Sequence, residues 1–367
     1  MTRKTLANIR PKTTLIGILM AAILLVGSAV FAGCAQRSDD PAANEPQAAQ
    51  GDTAEATTAF PSTAGALHVE GARLMSQSGE PVQLRGVSTH GLAWFPQYVN
   101  QELFDELHTD WNANVVRLSL YTAESGGYCT DGDREELEAT VRKGVEYATN
   151  ADLYAIIDWH VLSDQDPNKY LAQARTFFDE MSKTYAQSDN VIYEICNEPN
   201  GDTSWSQIRS YAEKVIPIIR ANDPDALILV GTPQWCQRPE DVLDNRLDDE
   251  NIMYTLHFYA ASHQQELRDS LEKAVNAGLP IFVSEFGITE ASGDGKIDYD
   301  SADAWIDLMD QLNVSYICWN LSNKDEASAL FKPDCTKTSG FSEEDLSAEG
   351  KWLWDVLHDE GAASPEE

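Results

Sequence analysis

The chain has 367 residues, of which 26 are Lys or Arg and 60 are Asp or Glu, for a formal charge of −34. A field of that sign repels phosphate backbones, which excludes nucleic acid as a natural partner and suits a neutral ligand. The length, less a non-globular N-terminal part, allows one large domain.

At the N-terminus Arg3, Lys4, Arg10 and Lys12 precede an apolar stretch from Leu15 to Phe31, and Ala32-Gly33-Cys34 follow. Basic, then apolar, then small residues is the layout of a secretory signal. A cysteine directly after Ala-Gly resembles a bacterial lipoprotein cleavage box, so residues 1–33 are expected to be a lipoprotein-type signal peptide and Cys34 the lipidated residue. Phe31 stands where such boxes usually have Leu, which leaves plain secretion or an uncleaved anchor as alternatives. The expected location is extracellular, at the cell surface, with the lipid as the sole membrane attachment. Residues 34–66 hold few large apolar side chains and read as a flexible, disordered linker, which leaves 67–360 for the folded domain.

Cys129, Cys196, Cys236, Cys318 and Cys335 remain, an odd number. Cys196 and Cys318 fall inside strand patterns, whereas Cys129, Cys236 and Cys335 fall on loops with room for one disulfide of open pairing. No cysteine has a histidine in an activating context, which argues against a thiol nucleophile.

Leu67 to Val82 reads as a short hairpin turning at Gln77-Ser78-Gly79-Glu80. Strand patterns follow at 82–90, 115–121, 154–161, 191–198, 226–232, 252–259, 281–286 and 315–322. Amphipathic helical segments such as 133–150, 171–185 and 206–222 lie between them. Eight strands with helical crossovers predict an α/β protein, a single (β/α)8 TIM barrel behind the hairpin. A doubly wound open sheet is the structural alternative, but no Gly-rich phosphate turn follows the first strand.

Barrel enzymes gather their chemistry at the carboxyl ends of the strands. Two of those ends carry a glutamate: Asn197-Glu198-Pro199 and Ser284-Glu285-Phe286-Gly287. Paired carboxyls at one mouth are what glycoside hydrolysis needs, one protonated to serve the leaving oxygen and one ionised to attack or to activate water. A lone glutamate at a strand end is more often solvated or ion-paired, and Glu194, with the parity of Glu198, reads as a satisfied interior group. His90, His160 and His257 also fall at strand ends. A metal-dependent hydrolase with these histidines as ligands is a competing reading, weakened because no closely spaced His pair follows the first strand; no metal or other cofactor is expected.

Several strings now stand in order: Gly-Glu-Pro-Val-Gln-Leu-Arg-Gly at 79–86, Ser-Thr-His-Gly-Leu-Ala-Trp at 88–94, Val-Arg-Leu-Ser-Leu-Tyr-Thr at 116–122, Ile-Ile-Asp-Trp-His at 156–160, Tyr-Glu-Ile-Cys-Asn-Glu-Pro-Asn-Gly at 193–201, Leu-His-Phe-Tyr-Ala at 256–260 and Cys-Trp-Asn-Leu-Ser at 318–322. From about Leu67 to Leu357 the chain resembles glycoside hydrolase family 5, and within it the bacterial endoglucanases of subfamily 2. It departs from them at Cys196, where Ala is commoner, and at Phe286, where Trp is commoner.

The resemblance implies a retaining endo-β-1,4-glucanase, a monomer acting on β-glucan polysaccharide, with Glu198 as acid/base and Glu285 as nucleophile. It implies that Arg117 and Tyr259 keep Glu285 charged, that Asn197 donates to the sugar 2-hydroxyl, and that His90, His160 and His257 line the same subsite. Trp94, Trp235 and Trp319 would be platforms for pyranose rings, and Tyr121, Lys324, Glu326 and the loop at Ala291 would contact further units. The same machinery on mannan, xyloglucan or mixed-linkage β-glucan is the enzymatic alternative. An inactive surface lectin on a hydrolase scaffold is the non-enzymatic one, disfavoured by the presence of both glutamates.

Overall fold

The computed structural model describes residues 57–358. The expected signal peptide, the lipidation site at Cys34 and the linker as far as residue 56 lie outside the described residues.

Eight parallel strands close into a barrel: β1 Arg85–Thr89, β2 Val115–Tyr121, β3 Tyr154–His160, β4 Val191–Glu194, β5 Leu227–Val230, β6 Ile252–Tyr259, β7 Ile281–Gly287 and β8 Tyr316–Leu321, with β8 pairing back onto β1. Each lies on one of the predicted runs. They are buried on both faces, which is why near-continuous Val, Ile, Leu and aromatic runs form strands here instead of an alternating pattern. The 191–198 run leaves regular strand geometry after Glu194. Its continuation still bonds to β3, through Asn197 N–H to the Trp159 carbonyl at 3.1 Å and Glu198 N–H to the Val161 carbonyl at 3.0 Å. The fourth strand end is thereby fixed against the third although it bends.

Seven helices of more than two turns pack around the barrel among the described residues: α1 Gln101–Thr109, α2 Arg134–Asn150, α3 Leu171–Tyr185, α4 Trp205–Asn222, α5 Gln265–Asn276, α6 Tyr299–Leu312 and α7 Ala348–His358. Asn100, Asp133 and Asp298 start α1, α2 and α6 by accepting backbone N–H groups of the first turn. Between β5 and β6 there is no such helix, only the short turns Pro233–Cys236 and Pro239–Val242. The barrel is therefore an irregular (β/α)8.

The entry to the barrel differs from expectation in two respects. His68–Glu70 pairs antiparallel with Arg73–Met75 around Gly71, whose φ of 63° a side chain would resist, and the expected turn at 77–80 is a second one, closed by Ser76 N–H to the Glu80 carbonyl at 2.8 Å. Ordered structure also begins ahead of Leu67. Thr57–Thr58 pairs with Val82–Gln83, Ala59 and Ala64 are buried, and Ser62 bonds to Asp152 through its N–H at 2.8 Å and its hydroxyl at 2.5 Å. The five described cysteines are all free, so the loop disulfide left open by the sequence does not form. Cys236 is buried with its thiol 2.9 Å from the Asn197 carbonyl.

Candidate active site

The carboxyl ends of the strands open into a cleft of about 670 Å³. Glu198, carried by the segment after β4, and Glu285, inside β7, both face it, each less than a tenth exposed. One oxygen of each carboxyl and one ring nitrogen of His257 lie within 4.8 Å of one another. Two residues 87 positions apart in the sequence (285 − 198) thus meet in one pocket. Retaining glycosidases space their carboxyls roughly 5–5.5 Å apart and inverting ones, which interpose a water, roughly 6.5–9.5 Å; the approach of these two oxygens is on the scale of the former.

The partners of the two carboxyls differ. Arg117 Nη1 donates to Glu285 Oε2 at 3.1 Å and the Tyr259 hydroxyl donates to Oε1 at 2.8 Å, both favouring the ionised form. Gly287, two residues on, leaves room for this: a Cβ there would meet the Tyr259 ring at 2.8 Å. Glu198 has one side-chain hydrogen bond among the described residues, 3.0 Å to Nδ1 of His257. Burial pushes its carboxyl up to about 8. Burial and the neighbouring Glu198 also raise Glu285, against the pull of His257 and Arg117. With a cation and a phenol donating to Glu285, and Arg117 acting on Glu198 only through space without a hydrogen bond, the first proton leaves Glu285 and the second stays on Glu198.

Arg117 lies beneath the floor with no exposure and binds three carboxylates, Asp158 at 3.1 Å, Glu194 at 2.7 Å and Glu285 at 3.1 Å. Glu194 is the satisfied interior group its parity predicted. Asn197 is also buried. Its Oδ1 accepts from Arg117 at 2.6 Å, while its amide donates to the Val161 carbonyl at 3.1 Å and meets Nε2 of His160 at 3.2 Å. In this arrangement its hydrogens face protein neighbours and not the cleft, so the sugar contact expected of it is not pre-formed. His160 passes the network on, with Nδ1 2.6 Å from Asp158.

The other expected residues, His90, Trp94, Tyr121, Trp235, Ala291, Trp319, Lys324 and Glu326, all line the cleft. Trp319 packs with Tyr121, Tyr259 and Leu162 in a small cluster at the cleft, separate from the two large cores. Trp94 and Trp235 are 38% and 41% exposed. Trp235 sits in a left-handed stretch, Gln234, Trp235 and Cys236 at φ 57°, 55° and 58°, pinned by its N–H on the Pro199 carbonyl at 3.0 Å. Consecutive non-glycine residues in that region are costly, so the turn holds the indole at the rim against local preference. Sequence reasoning missed Glu124 and His263, which also line the cleft from loops that carry no periodic signal. Ser284 and Asp158 were visible in strand-end strings without a role.

The histidines do not gather around a common point as ligands. Nδ1 of His90 takes the Gly91 N–H at 2.6 Å and that of His160 meets Asp158, leaving His257 alone at the carboxyl pair. Glu198, His257 and Glu285 have donor atoms spaced for a cation, but Arg117 and Tyr259 already satisfy Glu285.

Comparison with known proteins agrees with this geometry. Residues 75–325 match the family model described as cellulase (glycosyl hydrolase family 5). Endoglucanase A of Butyrivibrio fibrisolvens is 50% identical over 296 residues, covering 80% of this chain and 68% of that one. Endoglucanase 5 of Pectobacterium carotovorum subsp. carotovorum is 48% identical over 292 residues, covering 79% and 57%. The chain thus spans between just over half and about two thirds of the length of these relatives. The catalytic domain of Thermobifida fusca endoglucanase Cel5A, solved in complex with cellotetraose, superposes with a TM-score of 0.77 at 40% identity, covering 80% of this chain and 97% of that one.

Proposed function

The chain belongs to the cellulase family, glycosyl hydrolase family 5, and from that premise we propose that it is a retaining endo-β-1,4-glucanase. The observation that carries the proposal is the pair Glu198 and Glu285, within 4.8 Å in one cleft and held in different electrostatic surroundings. Glu285, ionised and held by Arg117 and Tyr259, attacks the anomeric carbon while Glu198 hands its proton to the departing glycosidic oxygen. Water then enters, Glu198 takes a proton from it, and the second inversion restores the starting configuration. Trp94, Trp235 and Trp319 offer ring faces to successive glucosyl units, and Tyr121, Ala291, Lys324 and Glu326 extend the wall. The relatives' names and the cellotetraose complex support a β-1,4-linked glucan as substrate. The N-terminal leader extends the proposal to a lipid-tethered surface enzyme, which acyl labelling lost in Cys34→Ser would test.

Purified protein is to be assayed in parallel for new reducing ends on carboxymethylcellulose, lichenan, glucomannan and xyloglucan, with the first-formed anomer read by proton NMR. Fast cleavage of carboxymethylcellulose with β-anomer appearing first is expected. A preference for glucomannan or xyloglucan would move the substrate assignment, and α-anomer appearing first would overturn the mechanism.

A further inference from the structure

We propose that Ser284 is a positioning residue that fixes the tautomer of His257 and, through it, holds the acid proton on Glu198; this deepens the glycosidase reading above and rests on it. The argument is a count of hydrogens along one buried chain. Arg117 donates from Nε and Nη2 to the two oxygens of Glu194, at 2.7 and 3.2 Å. Paired in this way with a fixed cation, Glu194 offers only lone pairs. The Ser284 hydroxyl, 2.8 Å from Glu194 Oε1, is therefore the donor in that contact, which uses its only hydrogen. Nε2 of His257 lies 2.9 Å from the same hydroxyl oxygen and must supply an N–H to it.

Burial lowers His257 to about 4, so the ring is neutral near pH 7 and carries a bare lone pair on Nδ1. That lone pair points at Glu198 Oε1 from 3.0 Å, a contact that only a protonated carboxyl completes. The surroundings of Glu198 agree. It faces Arg117 from β2, Asp158 from β3, Glu194 from its own strand, Glu285 from β7, Tyr121 and Tyr259, and Cys236; Arg117 is the one fixed cation among these and is already shared by three acids. The ring of His257 is itself within the field of Glu285, Glu194 and Arg117.

The same chain serves both halves of the reaction. In the first, the Glu198 O–H bond breaks and its proton goes to the glycosidic oxygen. The carboxylate left behind faces the Nδ1 lone pair, and the ring cannot turn donor toward it without abandoning Ser284. Glu198 is thus kept a strong base for the O–H of the incoming water, whose proton restores the starting state.

The direct test is nitrogen NMR of protein labelled in its histidine rings, the His257 signals being assigned by their loss in His257→Gln. At neutral pH Nε2 is expected to be protonated and Nδ1 not; the reverse tautomer would overturn the proposal. In Ser284→Ala the nearest remaining acceptor for Nε2–H is Glu194 Oε1 at 3.9 Å. The Nδ1–H tautomer then becomes accessible and donates to the ionised form of Glu198. The basic limb of the kcat/KM profile should move to lower pH by roughly one unit, with a loss on cellotetraose of roughly twofold at pH 7 that grows to roughly tenfold at pH 9, and none at either pH on dinitrophenyl cellobioside, whose leaving group needs no proton. Ser284→Thr, which keeps the hydroxyl, should restore the profile. A loss equal at every pH and on both substrates would mark a packing defect and overturn the role. A wild-type protein that leaves cellotetraose intact would refute the parent reading instead, since the tautomer is read without turnover.

Discussion

The two halves of the barrel interior are built from the same eight strands on opposite principles. Toward the amino ends, Val115, Tyr154, Ile156, Ile192, Leu227, Leu229, Met253, Phe282 and Ile317 form one apolar cluster with Leu84 and the N-terminal turn. Toward the carboxyl ends, Arg117, Asp158, Glu194, Glu198 and Glu285 are buried together. Burying ions costs several kcal/mol each unless they are paired and hydrogen-bonded, whereas each large apolar side chain buried contributes about 1.5–3 kcal/mol. The lower half stabilises the fold and the upper half spends part of that stability on holding carboxyls at unequal proton affinity.

Substitutions in the two halves should therefore separate activity from stability. The largest effect is expected from Glu285→Ala, which should lower turnover of glucan on the order of 10⁵-fold while leaving the thermal midpoint close to wild type, because Arg117 keeps Glu194 and Asp158 as partners. Kinetics and calorimetry on one preparation check this, and a large fall in the midpoint would mean that Glu285 is structural. Arg117→Met should do both kinds of damage. It leaves three buried acids without their cation and should cost about 3–5 kcal/mol in denaturant unfolding, with activity lost as well.

Leu229→Ala probes the other half. Deleting a fully buried side chain there should cost about 2–4 kcal/mol but leave kcat per folded molecule unchanged, as urea titration and assay would report. The most gradual effect concerns Glu349, buried on α7, with Oε1 accepting the Ile288 N–H at 3.1 Å and no cation among the groups that act on it. Burial raises this carboxyl to about 8. Its folded pKa lies above its unfolded value of about 4.3, so the stability it confers is present below that value and is lost as pH rises toward 8, by at most about 1.4 kcal/mol per pH unit. Glu349→Gln should flatten the decline in stability between pH 5 and 8, measured by unfolding at each pH. An unchanged slope would show that burial without a cation does not keep an acid neutral here.

The same division explains what could be read in advance. Strands buried on both faces announce themselves as apolar runs, and Glu198 and Glu285 stand out because each interrupts such a run at its end. Glu194 was legible through strand parity alone. Glu124 and His263 were not, since their places depend on how loops fold over the mouth, and the exposure of Trp235 depends on three left-handed residues that propensity disfavours. The missing helix after β5 escaped notice because strand runs on both sides looked regular. Ser284 was in plain view, but its hydrogen bonds to Glu194 and His257 bring together three strands and exist only in the closed barrel.

The central claim is that Glu198 and Glu285 act in turn on one anomeric carbon. Glu198→Ala, given dinitrophenyl cellobioside, should still form the glycosyl-enzyme but hydrolyse it slowly. Peptide mass spectrometry of the quenched reaction should then find a cellobiosyl ester on Glu285. An ester on any other residue, or no ester while dinitrophenolate is released in a burst, would contradict the account.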